Sequence, residues 1–310
     1  MLPAVANRVV VYYQTHYFGN GTFVSPLPLI GYVTHLILAA FHLNMSHIGP
    51  DIVHLNDFMP SDPYFYPLWP EIAMVQGNGT KVLGMLGGAA PGTYECLVDS
   101  LFDIYYPPLA EVIRTYNLDG MDLDVEQAVS PQTIQRIIRT LKADFGDDFI
   151  ITLAPVASAL TRQENLSGFD YIDLEHEMGD YIDWYNFQFY SGFGSFFPED
   201  QYIDIIEYDQ GIDASRVTAT VLTNPDNGGG YIDIGAVLHS IRSLMEKFGT
   251  GWGGVGGWEY FNSLPVVDVP WTWAETVHDA MHEQKRVMEA RGDPEGVVKR
   301  KRVASRFFKY

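Results

Sequence analysis

Residues 118–126, Leu-Asp-Gly-Met-Asp-Leu-Asp-Val-Glu, constrain this chain more than any other stretch. If 121–126 is a strand, side chains two apart share a face. Asp122, Asp124 and Glu126 then point one way, and Met121, Leu123 and Val125 point the other, into a hydrophobic layer. A covered row of carboxylates repels itself, and burial raises its pKa values. Such a row is a solvated strand face, a divalent-metal site or a proton-transfer site with its last member protonated and an inner one ionised. The flanking sequence does not read as an edge strand, and metal carboxylates in barrels come from the ends of several strands. The row therefore reads as catalytic.

Seven further runs read as buried strands: Arg8–Tyr13, 33–43, 81–86, 149–156, 183–190, 216–223 and 253–258. In 183–190, Tyr185, Phe187 and Phe189 share one face, and Asn186, Gln188 and Tyr190 share the other. Helices are expected at 94–116 (broken at Pro107-Pro108), at 131–145 with Ser130 as N-cap, at 234–248, and from about Pro270 to Arg291. A long loop after the second strand holds Phe58, Tyr64, Phe65, Tyr66 and Trp69. Eight buried strands with helices between them predict a single-domain α/β (β/α)8 TIM barrel over 8–282. Its C-terminal strand ends carry Tyr13, Gly87, Gly88, Asp124, Glu126, Gln188, Tyr190, Trp258 and Glu259, and that face is where such barrels place their sites.

Net charge is −20, and it is uneven: residues 1–282 hold ten Lys/Arg against thirty-five Asp/Glu, while 283–310 hold nine against four. An acidic body argues against nucleic acid and anionic membranes as partners and suits a neutral substrate such as carbohydrate. Aromatics at 14% also suit sugars, whose apolar faces stack on rings. No run of eighteen apolar residues predicts a membrane span. Cys96 stands alone, so no disulfide framework or cysteine metal site is expected. Four Asn-x-Ser/Thr sequons, at Asn20, Asn44, Asn78 and Asn165, would be acceptors in a secretory route. The first seven residues are too short and uncharged for a signal peptide, so a complete chain would be cytoplasmic and a clipped one secreted. The extension 283–310 reads as helical and then disordered, its basic run 299–302 a solvated tail.

Asp119-Gly-Met-Asp-Leu-Asp-Val-Glu126 resembles the Asp-Gly-x-Asp-x-Asp-x-Glu signature of glycoside hydrolase family 18, the chitinases and endo-β-N-acetylglucosaminidases, whose fold is a (β/α)8 barrel. The resemblance covers 8–282. It implies Glu126 as general acid and no carboxylate nucleophile: the substrate's 2-acetamido oxygen attacks the anomeric carbon to give an oxazolinium ion. Asp124 would orient the acetamido N–H, Asp122 would share a proton with Asp124, and Tyr190 would donate to the acetamido oxygen. Gln188 and Asn186 would hold the −1 sugar, with Trp258 beneath its ring. Tyr13, Gly87, Gly88 and Glu259 are expected around it. No metal and no cofactor is implied.

Tyr190 is followed by Ser191, unlike the many family 18 chitinases that carry Met-x-Tyr-Asp here, although plant-type chitinases also use Gln-x-Tyr. Stretches 53–58, 84–92, 122–127, 182–186, 188–195 and 257–265 are similar to the secreted fungal endo-β-N-acetylglucosaminidases of the Endo T type. That likeness implies a monomer that cleaves the chitobiose core of N-glycans. A chitinase is the alternative, and a non-catalytic GlcNAc-binding lectin is disfavoured by the intact Glu126. The loop after the second strand and residues 193–197 would border the glycan.

Overall fold

The computed structural model describes residues 7–161, 163–208 and 212–292. The expectations for residues 1–6 and for 293–310, with its basic run, lie outside the described residues. Eight parallel strands close into a barrel: β1 (Arg8–Tyr13), β2 (His35–Leu43), β4 (Lys81–Gly87), β5 (Gly120–Asp124), β6 (Ile150–Leu153), β7 (Trp184–Gln188), β8 (Val217–Leu222) and β9 (Gly254–Trp258). Pairing runs round the ring in sequence order, and β1 pairs with both β2 and β9, so no edge is left on the cylinder. A short β3 (Val53–Leu55) adds antiparallel to the upper part of β2. The sequence hides it because three residues carry no periodicity.

Seven helices occur among the described residues: α1 (Leu68–Gly77), α2 (Phe102–Thr115), α3 (Pro131–Phe145), α4 (Tyr171–Met178), α5 (Asp200–Glu207), α6 (Ile234–Phe248) and α7 (Thr272–Arg291). In α3 the Ser130 side chain caps the Thr133 N–H, Pro131 occupies the first turn, and Ile134, Ile137, Ile138 and Leu141 form the buried stripe. Helix α2 differs from its expected break, since it runs straight through Pro107 and Pro108. The carbonyls those prolines release, on Asp103 and Ile104, belong to exposed residues, while Tyr105, Tyr106, Leu109, Ala110 and Ile113 hold the inner face in the core. The long loop expected after β2 in fact contains α1, in which Leu68, Ile72 and Val75 are buried. Trp69 stacks on Tyr116 at 3.6 Å, away from the barrel mouth, and Phe65 is wholly buried. No helix among the described residues is long and apolar enough to cross a membrane.

Two apolar layers result. The larger lies between strands and helices and takes Met121, Leu123, Val125, Tyr185, Phe187 and Phe189. A smaller one fills the lumen with Val10, Tyr12, Ile37, Leu83, Met85 and Trp184. Beneath it Arg8 stacks its guanidinium over Trp184 at 4.3 Å and donates to the carbonyls of Ser215 and Gly253. Burial lowers that guanidinium to about 10.

The segment 118–126 meets both layers. Asp119 ties β5 to its neighbour, accepting from the Val82 N–H at 2.9 Å, from Gln76 at 2.9 Å and from Lys81 at 2.8 Å. Gly120 lies so near β6 that a Cβ there would come within 2.2 Å of the Ile150 carbonyl oxygen. Gly87 has φ +94°, and a Cβ on it would lie 2.5 Å from the Asp124 carbonyl oxygen and 2.6 Å from the Tyr94 ring. Gly87→Ala is therefore expected to cost about 2–4 kcal/mol, left-handed strain added to overpacking. A denaturant midpoint within error of the unmodified chain would show that the β4 turn relaxes.

Candidate active site

Strand β5 delivers its carboxylates to the lumen at two depths and Glu126 just beyond its end. Asp122 is fully buried, with three neutral donors converging on it. The Tyr12 hydroxyl reaches Oδ2 at 2.8 Å, while the Thr152 hydroxyl and the Asn186 amide (3.0 Å) reach Oδ1. Burial pushes its carboxyl above the usual range, and these three donors pull against that shift. A carboxylate accepting three hydrogen bonds from groups that do not need its proton is held as an acceptor.

Asp124, one register step higher, is buried more deeply than any neutral donor compensates. Burial first, then the charges of Glu126 and Asp122, push its carboxyl well above the usual range, and a hydrogen bond with Glu126 pushes the same way. Asp124 thus holds its proton to a higher pH than an isolated carboxyl does. The sequence expectation placed that proton between Asp122 and Asp124. In the structure Asp122 accepts from three neutral donors, and the charges of both Asp122 and Glu126 act on Asp124.

Gln188 bridges the pair. Its Nε2 lies 3.1 Å from Asp124 Oδ1 and 3.2 Å from Glu126 Oε1, and it is anchored on the Ala154 carbonyl at 2.9 Å. Gln188→Leu keeps a side chain of similar length and removes a donor to two carboxyls. Losing a charge-assisted bond of about 1.5–3 kcal/mol is expected to cut kcat/KM roughly tenfold to a hundredfold. Because that amide favours the ionised form, the alkaline limb of the pH profile is also expected to move upward. An unmoved limb would mean that Gln188 serves packing alone.

The Tyr190 phenol sits where burial and then the charges of Asp124, Glu126 and Asp122 all raise its pKa, so its proton stays available for donation. Trp258, half-buried at the end of β9, packs against the lumen cluster with its ring 5.4 Å from that of Tyr12. Gly88, φ +95°, leaves Asp124 open: a Cβ there would stand 3.7 Å from Oδ2.

Three expected site residues sit elsewhere. Tyr13 is one residue out of phase with the lumen; its hydroxyl donates to the Val24 carbonyl at 2.5 Å, and its ring packs edge-on to His16 and Tyr260. Tyr12 takes the lumen position instead. Asn186 is wholly buried behind Asp122, where Trp184 Nε1 donates to its oxygen at 2.8 Å, so it positions a carboxylate and does not reach the mouth. Glu259 spends both oxygens on the loop after β1, accepting from the Gln14 N–H, the Thr15 N–H and the Thr15 hydroxyl. The sequence reading missed Tyr12, Thr152 and Trp184; for Trp184 the signal was phase, since it sits two residues from Asn186 on the same strand.

Two clefts open among the loops beyond the C-terminal strand ends, and neither has Asp122, Asp124 or Glu126 in its wall. One, about 520 Å³, is walled by Gln14, His42, Asn56, Phe58, Tyr64 and Pro91. The other, about 420 Å³, is walled by Ser158, Phe193, Ser195, Gln201 and Gly230. A buried Asp124 that holds its proton beside a half-buried Glu126, with a phenol donor and an indole, can protonate a bond in a substrate that enters the mouth.

No family model matches the chain. Among solved structures, it is similar to a fungal endo-β-N-acetylglucosaminidase of glycosyl hydrolase family 18, with 45% identity over 89% of this chain and 98% of that one and a TM-score of 0.81. The chain belongs to glycosyl hydrolase family 18. It is a glycoside hydrolase. Chitinase ChiC from Aspergillus fumigatus is equally similar, with 47% identity over 89% of this chain and 100% of that one and a TM-score of 0.79. A curated relative, chitinase Chi52 from Paenibacillus xylanexedens, is 27% identical over 156 residues, and the chain spans only 29% of its length. Family 18 membership explains together the β5 signature, the barrel and the carboxylates at its C-terminal face, while the two solved relatives carry different activities.

Proposed function

We propose that the chain is an endo-β-N-acetylglucosaminidase that hydrolyses the β-1,4 bond of the N,N'-diacetylchitobiose core of N-glycans and leaves one GlcNAc on the protein. The observation that carries this reading is where the stretches similar to the fungal endo-enzymes fall. Asn56, Asp57, Phe58, Ala90 and Pro91 wall the larger cleft, and Gly192, Phe193, Gly194 and Ser195 wall the smaller. Likeness in a cleft wall bears on what the cleft holds, whereas likeness in a barrel strand bears on the fold.

Glu126 donates its proton to the glycosidic oxygen as the acetamido oxygen attacks the anomeric carbon, and the bond from that carbon to the leaving oxygen breaks. Asp124 accepts the acetamido N–H and offsets the charge that grows on the oxazolinium ring. Tyr190 donates to the acetamido oxygen and sets its line of approach. Asp122, fixed by Tyr12, Thr152 and Asn186, keeps the field beneath Asp124 negative. Water then adds at the anomeric carbon, giving its proton to Glu126, and configuration is retained over the two inversions. Trp258 lies under the sugar.

The second reading, a chitinase on β-1,4-GlcNAc polymers, rests on the 47% identity to ChiC. Parallel incubation with a high-mannose glycoprotein and with chitin oligomers separates them. Glycan release from the first, with slow or no cleavage of the second, is the expected result. Sustained cleavage of the oligomers with the glycoprotein untouched would make the chitinase reading the correct one.

A further inference from the structure

Five of the chain's nine histidines lie in its first 54 residues, and two of them meet one carboxylate. Leaving β2, the chain makes the loop 44–52 with a 3₁₀ turn at Gly49–Ile52 and returns as β3. That turn sets Asp51 between two imidazoles: His47 Nδ1 is 2.6 Å from Oδ2, and His54 Nε2 is 3.1 Å from Oδ1. The rings stand 5.2 Å apart and nearly perpendicular, and the ligating atoms all lie within 4.8 Å of one another. All three residues are half-buried, so water reaches them without dispersing them.

We propose that His47, Asp51 and His54 form a divalent transition-metal site, with zinc the ion that their chemistry suits. Two imidazoles and one carboxylate are the donors that zinc takes at about 2.0–2.2 Å, whereas calcium and magnesium want oxygen throughout. A tetrahedral centre with such bonds spaces its ligands about 3.3–3.5 Å apart, so the two His–Asp contacts need to open by less than an ångström and the widest pair, within 4.8 Å, to close by at most about 1.5 Å. The ion would take the place of the two ring protons that now face Asp51, and a fourth position remains for water. An acidic chain, net −20, raises the local concentration of cations around it.

The site is a clamp on the substrate cleft. His54 pairs across β3 and β2 with His42, which walls the 520 Å³ cleft. Opposite residues on an antiparallel pair share a face, so the ion sits one side chain behind that wall. The loop tip carries Ile48 and Met45, 85% and 48% exposed, and apolar side chains held in water gain nothing from their own burial. A metal crosslink between the turn and β3 fixes such a loop, and with it the cleft wall.

The test uses the whole chain stripped with a chelator and titrated calorimetrically with zinc chloride at neutral pH. A second imidazole pair, His278 and His282 on α7 with rings 4.2 Å apart, is removed from the comparison by a His282→Ala background. One equivalent of zinc is expected to bind, to weaken at least tenfold in both His54→Ala and Asp51→Asn, and to slow hydrogen exchange across residues 44–56. Binding that survives both variants, or no binding below millimolar zinc, overturns the proposal and leaves a hydrogen-bonded stitch. A zinc-edge anomalous map of the unmodified chain needs no variant to fold: a peak between the three side chains supports the site, and its absence at saturating zinc refutes it.

Discussion

Glu126→Gln is expected to lower turnover by between a hundredfold and ten-thousandfold while leaving substrate affinity within about threefold of the unmodified chain. The amide is isosteric and its oxygen can still take the Gln188 contact at 3.2 Å, so the mouth keeps its shape. What it cannot do is deliver a proton to the leaving oxygen and recover one from water. Only the transition state loses an interaction, so kcat falls and KM does not rise. Single-turnover rates with equilibrium binding to the same glycan measure both. Turnover near that of the unmodified chain would remove Glu126 from the acid role.

Asp124→Asn is expected to act in two opposite directions. Activity falls by about a hundredfold to a thousandfold, because a neutral amide offers little to the positive charge of the oxazolinium ring. Stability rises at neutral and alkaline pH. In the folded chain burial and the Glu126 charge hold this carboxyl well above its ordinary value of 3.8, so the folded state binds the proton more tightly than the unfolded state does. That contribution to stability is fully present below pH 3.8 and is lost as pH rises toward the raised value. Asparagine does not ionise, so the variant lacks the decline. Thermal midpoints across pH, compared with the unmodified chain, are expected to diverge in favour of the variant as pH increases. Parallel curves would mean that Asp124 is ionised in the folded chain at no cost.

The parts of this molecule that the sequence announced are those written in repeated pattern. Seven apolar runs and a strand with carboxylates on one face specify a closed parallel barrel, because alternation assigns each side chain a layer before any contact is known. Asp122, Asp124 and Gln188 fell on inward positions of β5 and β7 for that reason, with Glu126 and Tyr190 two residues beyond the strand ends. Phase within β1 was not readable, because Tyr12 and Tyr13 are both buried aromatics and only the closure of the ring decides which one faces Asp122. Asn186 was placed at the sugar by the family resemblance and Glu259 by its position at a strand end; depth settles the first, and the backbone N–H groups of Gln14 and Thr15 claim the second. Helix α1 was lost among Pro67, Pro70 and aromatic residues that resemble loop composition, although its buried Leu68, Ile72 and Val75 keep helical spacing. The continuity of α2 through two prolines goes with the exposure of Asp103 and Ile104, which no single sequence shows.

The account stands most directly on one experiment: a high-mannose glycoprotein incubated in heavy-oxygen water, with intact-mass analysis of the protein and of the released glycan. The proposed chemistry puts the heavy oxygen on the reducing carbon of the released glycan, leaves one unlabelled N-acetylglucosamine on each asparagine, and gives neither product with Glu126→Gln. Label on the protein, removal of the whole glycan, or an unchanged glycoprotein beside rapidly cleaved chitin oligomers would contradict it.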